Sequence, residues 1–353
     1  MKIGIIGLPY SGKTTVFNAL TGATAKIGGF GASGGKPHVS VVKVPDKRIE
    51  ILAKMFEPEK VAYADLTFMD VSLPKGEATE REKDTLQSIK NVDAIAHVIR
   101  LFENGKPPTT KSDIQNIDSE LMLSDLTVIE SRLDKIEKQI RLGKGKGLDD
   151  EKRILEKCKA CLESENPIRT LHLSEGESKI LRGFQLVSSK PMLLILNTGE
   201  ELIGKEIQDP DIKTYLAQPN TAVFQICGKI EMEIAQLEEK EAHLFLKELG
   251  IQEPGLNRLI RASYDLLGLI SFFTVGDDEV RAWTTRKGAK AVHAAGVIHS
   301  DIEKGFIRAE VIGYEDLIKC GSLTEGRNRG LLRLEGKVYE VRDGDIINFR
   351  FNV

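Results

Sequence analysis

At 353 residues the chain exceeds the usual reach of one compact domain and predicts two or three modules, each with its own core. Apolar residues make up 41% and charged residues 29%, the balance of a soluble globular protein, which excludes a disordered or fibrous chain. A formal net charge of −3 excludes a protein that coats nucleic acid by bulk charge, so any RNA contact must use local basic patches.

The first predicted element is a buried strand from Ile3 to Ile6. The sequence starts directly in it, without the charged and long apolar regions of a secretory signal. No apolar run reaches the roughly 18 residues of a membrane span, the nearest being Leu266 to Val275, so a cytoplasmic protein without membrane contact is expected. Gly7-Leu8-Pro9-Tyr10-Ser11-Gly12-Lys13-Thr14 then fits the GxxxxGK[ST] pattern, between that strand and the helical stretch TTVFNALTG. Its glycines let backbone N–H groups turn towards phosphate oxygens, and the helix start presents the positive end of its dipole. Tyr10, Ser11, Gly12, Lys13, Thr14 and Thr15 are the expected phosphate contacts, with Lys13 on the β- and γ-phosphates and the Thr14 hydroxyl on Mg²⁺.

Further strands are predicted at Val39 to Val44, Leu66 to Met69, Ala94 to Leu101, Met192 to Leu196 and Ala222 to Cys227. Helical stretches separate several of them, which implies a mostly parallel, helix-covered α/β sheet with ligands at the carboxyl ends of its strands. Asp70 follows the third strand, where a carboxylate can hold a water of the Mg²⁺ shell; a cap or turn role stays open. His97, in the fourth strand, reads as a satisfied core histidine.

Met122, Leu126, Ile129, Leu133, Ile136 and Ile140 then form a seam of coiled-coil spacing, stopped by Gly143 to Gly147 and followed by a second helix from Asp149 to about Ser164. The reading is a two-helix antiparallel arm inserted at about 120–165, with two ordinary helices packed on the body as the alternative. Arg141, Lys144 and Lys146 make its tip basic, and Cys158 and Cys161 lie three apart on the apolar face of the second helix.

Asn197-Thr198-Gly199-Glu200 follows the fifth strand, where GTPases of this general plan read the base with NKxD. Glu200 is one methylene longer than Asp and Thr198 replaces Lys, which argues against a guanine fork and for ATP over a weaker GTP. A plain turn using Asn and Gly stays open. After the sixth strand, Cys227-Gly228-Lys229 stands where a loop backbone would touch the base. From Ser271 the texture changes to the short strands FFTV, VRAWTT, FIRAEVI, KVYEV and DIINFRF, with one helix from Tyr314 to Cys320: a compact β-rich module. His293 and His299 bracket a turn there as exposed side chains.

The segments GLPYSGKTTVFNALTG, AIAHVIRLFEN, the NxxE element, EPGLNRLIRASYDLLGL, EVRAWTTRKGAKA, IHSDIEKGFIRAEVI and EGKVYEVRDGDIINFRFNV resemble, in this order and over essentially the whole chain, the YchF/Ola1 family of Obg-related P-loop NTPases. The resemblance implies a Ras-like NTPase core over 1–270 carrying the helical arm, and a ubiquitin-like TGS domain over 271–353. It also implies ATP binding in preference to GTP, ATP hydrolysis, and association with ribosomes, the large subunit being the first candidate.

Three departures from the family pattern stand out. Asp70-Val71-Ser72-Leu73-Pro74 occupies the place of the family's DxxG, Glu77 to Thr85 lacks the family's His, and Gly34-Gly35-Lys36-Pro37 replaces its switch Thr, with Ser33 the nearest hydroxyl. Nucleotide binding should survive these changes better than hydrolysis, so a slow ATPase with no assigned catalytic residue is expected. A non-hydrolysing scaffold and a metabolic phosphotransferase are the alternatives.

Overall fold

The protein is described from a computed structural model, over residues 1–22, 38–71, 88–105, 107–145 and 147–352. The readings placed on Ser33 to Pro37, Ser72 to Thr85 and Lys146 lie outside the described residues. The chain divides into two compact units, one of residues 1–40 and 67–256, the other of 41–66 and 257–353.

The strands are β1 (Lys2–Ile6), β2 (His38–Lys43), β3 (Lys60–Ala62), β4 (Asp65–Asp70), β5 (Ala94–Leu101), β6 (Met192–Thr198), β7 (Thr221–Ile226), β8 (Leu269–Thr274), β9 (Glu279–Arg286), β10 (Phe306–Gly313), β11 (Arg333–Glu335) and β12 (Asp345–Phe351). One six-stranded sheet has the order β2-β4-β1-β5-β6-β7, and its pairings from β4 to β7 are all parallel. β6 is buried along its whole length, as a parallel strand covered on both faces must be.

The 32-residue helix Thr110–Arg141 serves two cores in this first unit. Its Ile114, Ile117 and Leu121 pack with Ile95, Ile99 and Val187 against the sheet. About two and four turns further on, Ile129 and Ile136 pack with Ile154, Leu155, Cys158 and Leu162 of the helix Asp149–Glu163, joined by Met122, Leu126 and Leu133. Polar ties hold the sheet-side half. Both Asp118 oxygens accept from Arg169 Nη2, at 2.8 and 2.7 Å, and Asp125 accepts from the amides of Val187 and Ser188. Such pairing is what makes buried carboxylates tolerable.

His97 departs from expectation. It is buried in β5, yet among the described residues neither ring nitrogen has a hydrogen-bond partner. Burial, aided by the Arg169 charge, lowers its pKa to about 3 and keeps the ring neutral.

In the second unit the sheet order is β11-β10-β12-β8-β9-β3. Two readings are corrected here. KVYEV is not a strand: the Tyr339 amide donates to Gly336 O and closes a turn, while β11 lies just before it at Arg333–Glu335. Between His293 and His299 stands a helix, Ala291–Ile298, not a turn, because Ala291, Ala294 and Ala295 recur at helical spacing and bury against Phe306 and Ile347. His299 caps the next helix, its Nδ1 accepting from the Asp301 amide.

Candidate nucleotide-binding site

β1 runs into a loop that turns the chain into the helix Lys13–Thr21. Tyr10 (φ 66°) and Gly12 (φ 84°) both take left-handed backbone, on either side of Ser11, whose amide donates to Leu8 O. This alternation makes a concave row of amides, a nest that suits an anion. Gly12 admits no side chain, since a Cβ there would collide with Asn197 Nδ2, and a Cβ on Gly7 would lie 2.8 Å from Val98 O. Tyr10 holds the same left-handed geometry with a bulky side chain that is 71% exposed, so packing does not compensate its strain.

The helix Lys13–Thr21 has no side-chain cap, and its first bond to the loop is Val16 N to Gly12 O. Its opening amides are therefore available to a ligand. Asp70, in register with Ile5 of β1, is buried, and Lys13 Nζ donates to its Oδ1. Burial lowers the Lys13 ammonium to about 8. An uncapped helix start, a buried cation and two hard oxygen donors, the Thr14 hydroxyl and the Asp70 carboxylate, fit a nucleoside triphosphate with Mg²⁺. Among the described residues no group of three His, Cys, Asp or Glu could hold a metal ion.

The residues expected at the base split into two sets. Asn197 is a strut: Nδ2 donates to Ser11 O and Oδ1 accepts from the Gly228 amide, both at 2.9 Å, tying the phosphate loop to the start of the helix Gly228–Ile234. Thr198 turns its hydroxyl to Ile226 O, and the Cys227 thiol is buried and raised in pKa by that burial. Glu200 stays at the surface, its Oε1 accepting from Lys229 Nζ at 2.7 Å, a bond that raises the Lys229 pKa. Lys229 was expected here only through the backbone of its loop, and the contact of its side chain with Glu200 was not expected. Its only sequence signal is its place directly after Cys227-Gly228.

A phosphate nest between a strand and an uncapped helix, with a lysine and a neighbouring-strand aspartate at its mouth, defines a P-loop NTPase. A profile described as a 50S ribosome-binding GTPase matches residues 2–132, and the C-terminal profile of YchF-type GTPases, described as a protein of unknown function, matches 269–352. The chain is 42% identical to the ribosome-binding ATPase YchF of Bacillus subtilis, with all of both chains covered, and 39% identical to that of Escherichia coli O157:H7, covering all of this chain and 99% of the other. The solved Schizosaccharomyces pombe YchF GTPase superposes with a TM-score of 0.85 at 30% identity, over 99% of this chain and 97% of that one. A GTP-binding protein of Pyrococcus horikoshii, 19% identical, shares the fold over the full length of both chains with a TM-score of 0.62. The chain belongs to the YchF family. No helix of the described residues is long and apolar enough to cross a membrane.

Proposed function

We propose that this chain binds ATP with Mg²⁺ in preference to GTP, hydrolyses it slowly, and associates in the cytoplasm with the ribosome, at the large subunit, as its nucleotide state dictates. The observation that carries the reading is Lys13 against Asp70 at the mouth of the phosphate nest, in a chain matched end to end by ribosome-binding ATPases. In this reading the backbone from Tyr10 to Thr15 holds the phosphates, Lys13 exchanges Asp70 for phosphate oxygens, and Thr14 and Asp70 hold the metal. Bound Mg²⁺ neutralises phosphate charge. The base lies against Glu200 and Cys227, on a loop braced by Asn197, Thr198 and Gly228. Lacking the Asp and Lys of a guanine fork, this loop favours adenine.

Slow hydrolysis follows from the neighbouring side chains. Arg100 donates to Phe102 O and Pro107 O, and the neutral His97 ring is enclosed in the sheet. Residues 1–270 form the NTPase domain in this reading and 271–353 a TGS module. That module and the paired helices meet the ribosome, with Arg141 and Lys144 as a local RNA contact. Turnover of ATP by the isolated chain should fall below about 1 s⁻¹. Co-sedimentation with ribosomes should require ATP and weaken steeply with salt. Rapid turnover overturns the first claim, and absence from the ribosome pellet with ATP bound overturns the second.

A further inference from the structure

Glu200 and Lys229 stand side by side on the two loops that flank the base position, from the end of β6 and the start of the helix Gly228–Ile234. Neither is buried: Lys229 is 68% and Glu200 53% exposed, so both heads face solvent rather than the core. The neighbouring groups are committed elsewhere. The Asn197 amide is spent on Ser11 and Gly228, the Thr198 hydroxyl on Ile226 O, and the Glu201 carboxylate is folded back against Gly199. Beside the Glu201 carboxylate at Gly199, these loops thus offer one carboxylate and one ammonium already bonded to each other.

We propose that Lys229 is a specificity-determining residue for the nucleotide base, acting by occupying one oxygen of Glu200 and presenting a donor beside the acceptor that remains. The inference rests on the base lying against this loop pair. A guanine fork needs both carboxylate oxygens, one for N1–H and one for the N2 amino group. With Lys229 on Oε1, the ammonium competes with a guanine N–H for that oxygen. The ammonium has donors only and the carboxylate acceptors only. Adenine offers an acceptor, N1, beside a donor, the N6 amino group, and so complements the pair. In the same pose, with N1 against Lys229 and the exocyclic group against Glu200, guanine offers a donor, N1–H, beside an acceptor, O6, and faces like with like at both positions. Unpaired polar groups at a closed base site are what give hydrogen-bonded sites their discrimination.

An exposed ion pair contributes little to folding, so Lys229 can be changed without unfolding the chain. The test is calorimetric titration of the full chain with Mg·ATP and with Mg·GTP, in the wild type, Lys229→Met and Lys229→Arg, with circular dichroism confirming the fold. Lys229→Met keeps the apolar stem, and should cut the ratio of ATP to GTP affinity at least about fivefold, partly by tightening GTP as both Glu200 oxygens come free. Lys229→Arg, which keeps a donor on Glu200, should stay within about twofold of the wild-type ratio. A role in folding alone would weaken both nucleotides together and leave the ratio unmoved, and that result overturns the proposal. A wild type that prefers GTP overturns the ATP reading on which it rests, whereas an ATP-preferring wild type with an unchanged Lys229→Met ratio overturns only the role of Lys229.

Discussion

In the proposed site the phosphate end offers the backbone amides of Tyr10 to Thr15 and the half-buried Lys13 paired with the buried Asp70, whereas the base end offers the exposed side chains of Glu200 and Lys229. The first end is held by geometry that admits few residues, as Gly7 and Gly12 show by having no room for a Cβ. The second is held by one surface ion pair that substitution can rewrite. On the proposed reading grip and choice are separable: affinity for any triphosphate would come from the first end, and preference among bases from the second.

The largest expected break is at the phosphate end. Lys13→Ala should lower triphosphate affinity by at least about 100-fold, and should leave the buried Asp70 carboxylate uncompensated at a cost of about 3 kcal/mol. Titration calorimetry reads the first and urea denaturation the second. ATP affinity that survives in a folded Lys13→Ala variant would show that grip resides elsewhere.

Asn197→Ala removes both hydrogen bonds that brace the phosphate loop, a loss of about 2 kcal/mol. As a strut, it should weaken ATP and GTP by the same factor, of the order of tenfold or more, without changing their ratio. A changed ratio would make Asn197 a reader of the base and blur the two ends.

His97 provides a control away from both ends. Its folded pKa of about 3 lies below the ordinary value of 6.5, so between these pH values the unfolded chain binds a proton that the folded chain refuses. The stability it contributes is complete above pH 6.5 and is lost as the pH falls through this window, by about 2 kcal/mol at pH 5. Urea melts at pH 7 and pH 5 should show that loss, and His97→Phe should remove His97's share of it. The smallest expected effect is the shift in the ATP to GTP ratio of Lys229→Met, where grip should persist while choice relaxes.

Much of the phosphate end could be read in advance because its chemistry is local. A strand, glycines at fixed spacing, a lysine and a hydroxyl lie within fifteen residues, and the backbone conformation itself demands the glycines. Asp70 was legible too, as a carboxylate ending an apolar run. The base end was legible only in part. The place of Asn197 follows from the strand before it, but its bond to Ser11 spans 186 residues and that of Glu200 to Lys229 spans 29, and no local pattern reports such meetings. In the second unit, KVYEV misled because alternating β-branched and aromatic residues fit a half-buried surface whether or not the backbone pairs. AVHAAGVI misled in the opposite sense: His293 within it and His299 just after it drew attention to a turn, while the small apolar residues between them wind a helix against the sheet. His97 was placed correctly in the interior, but burial alone does not reveal whether a partner is within reach.

The helix Thr110–Arg141 has a mechanical consequence. Its 32 residues make a rod about 48 Å long. The near end is clamped by Ile114, Ile117 and the Asp118–Arg169 pair to the same sheet whose strand ends carry the phosphate loop and Asp70. A rod clamped at one end turns angle into distance: from Asp125, the last tie to the sheet side, to Arg141 is about 24 Å, so a tilt of about 5° at the clamp would sweep the Arg141 end through about 2 Å, more than any atom at the pivot travels.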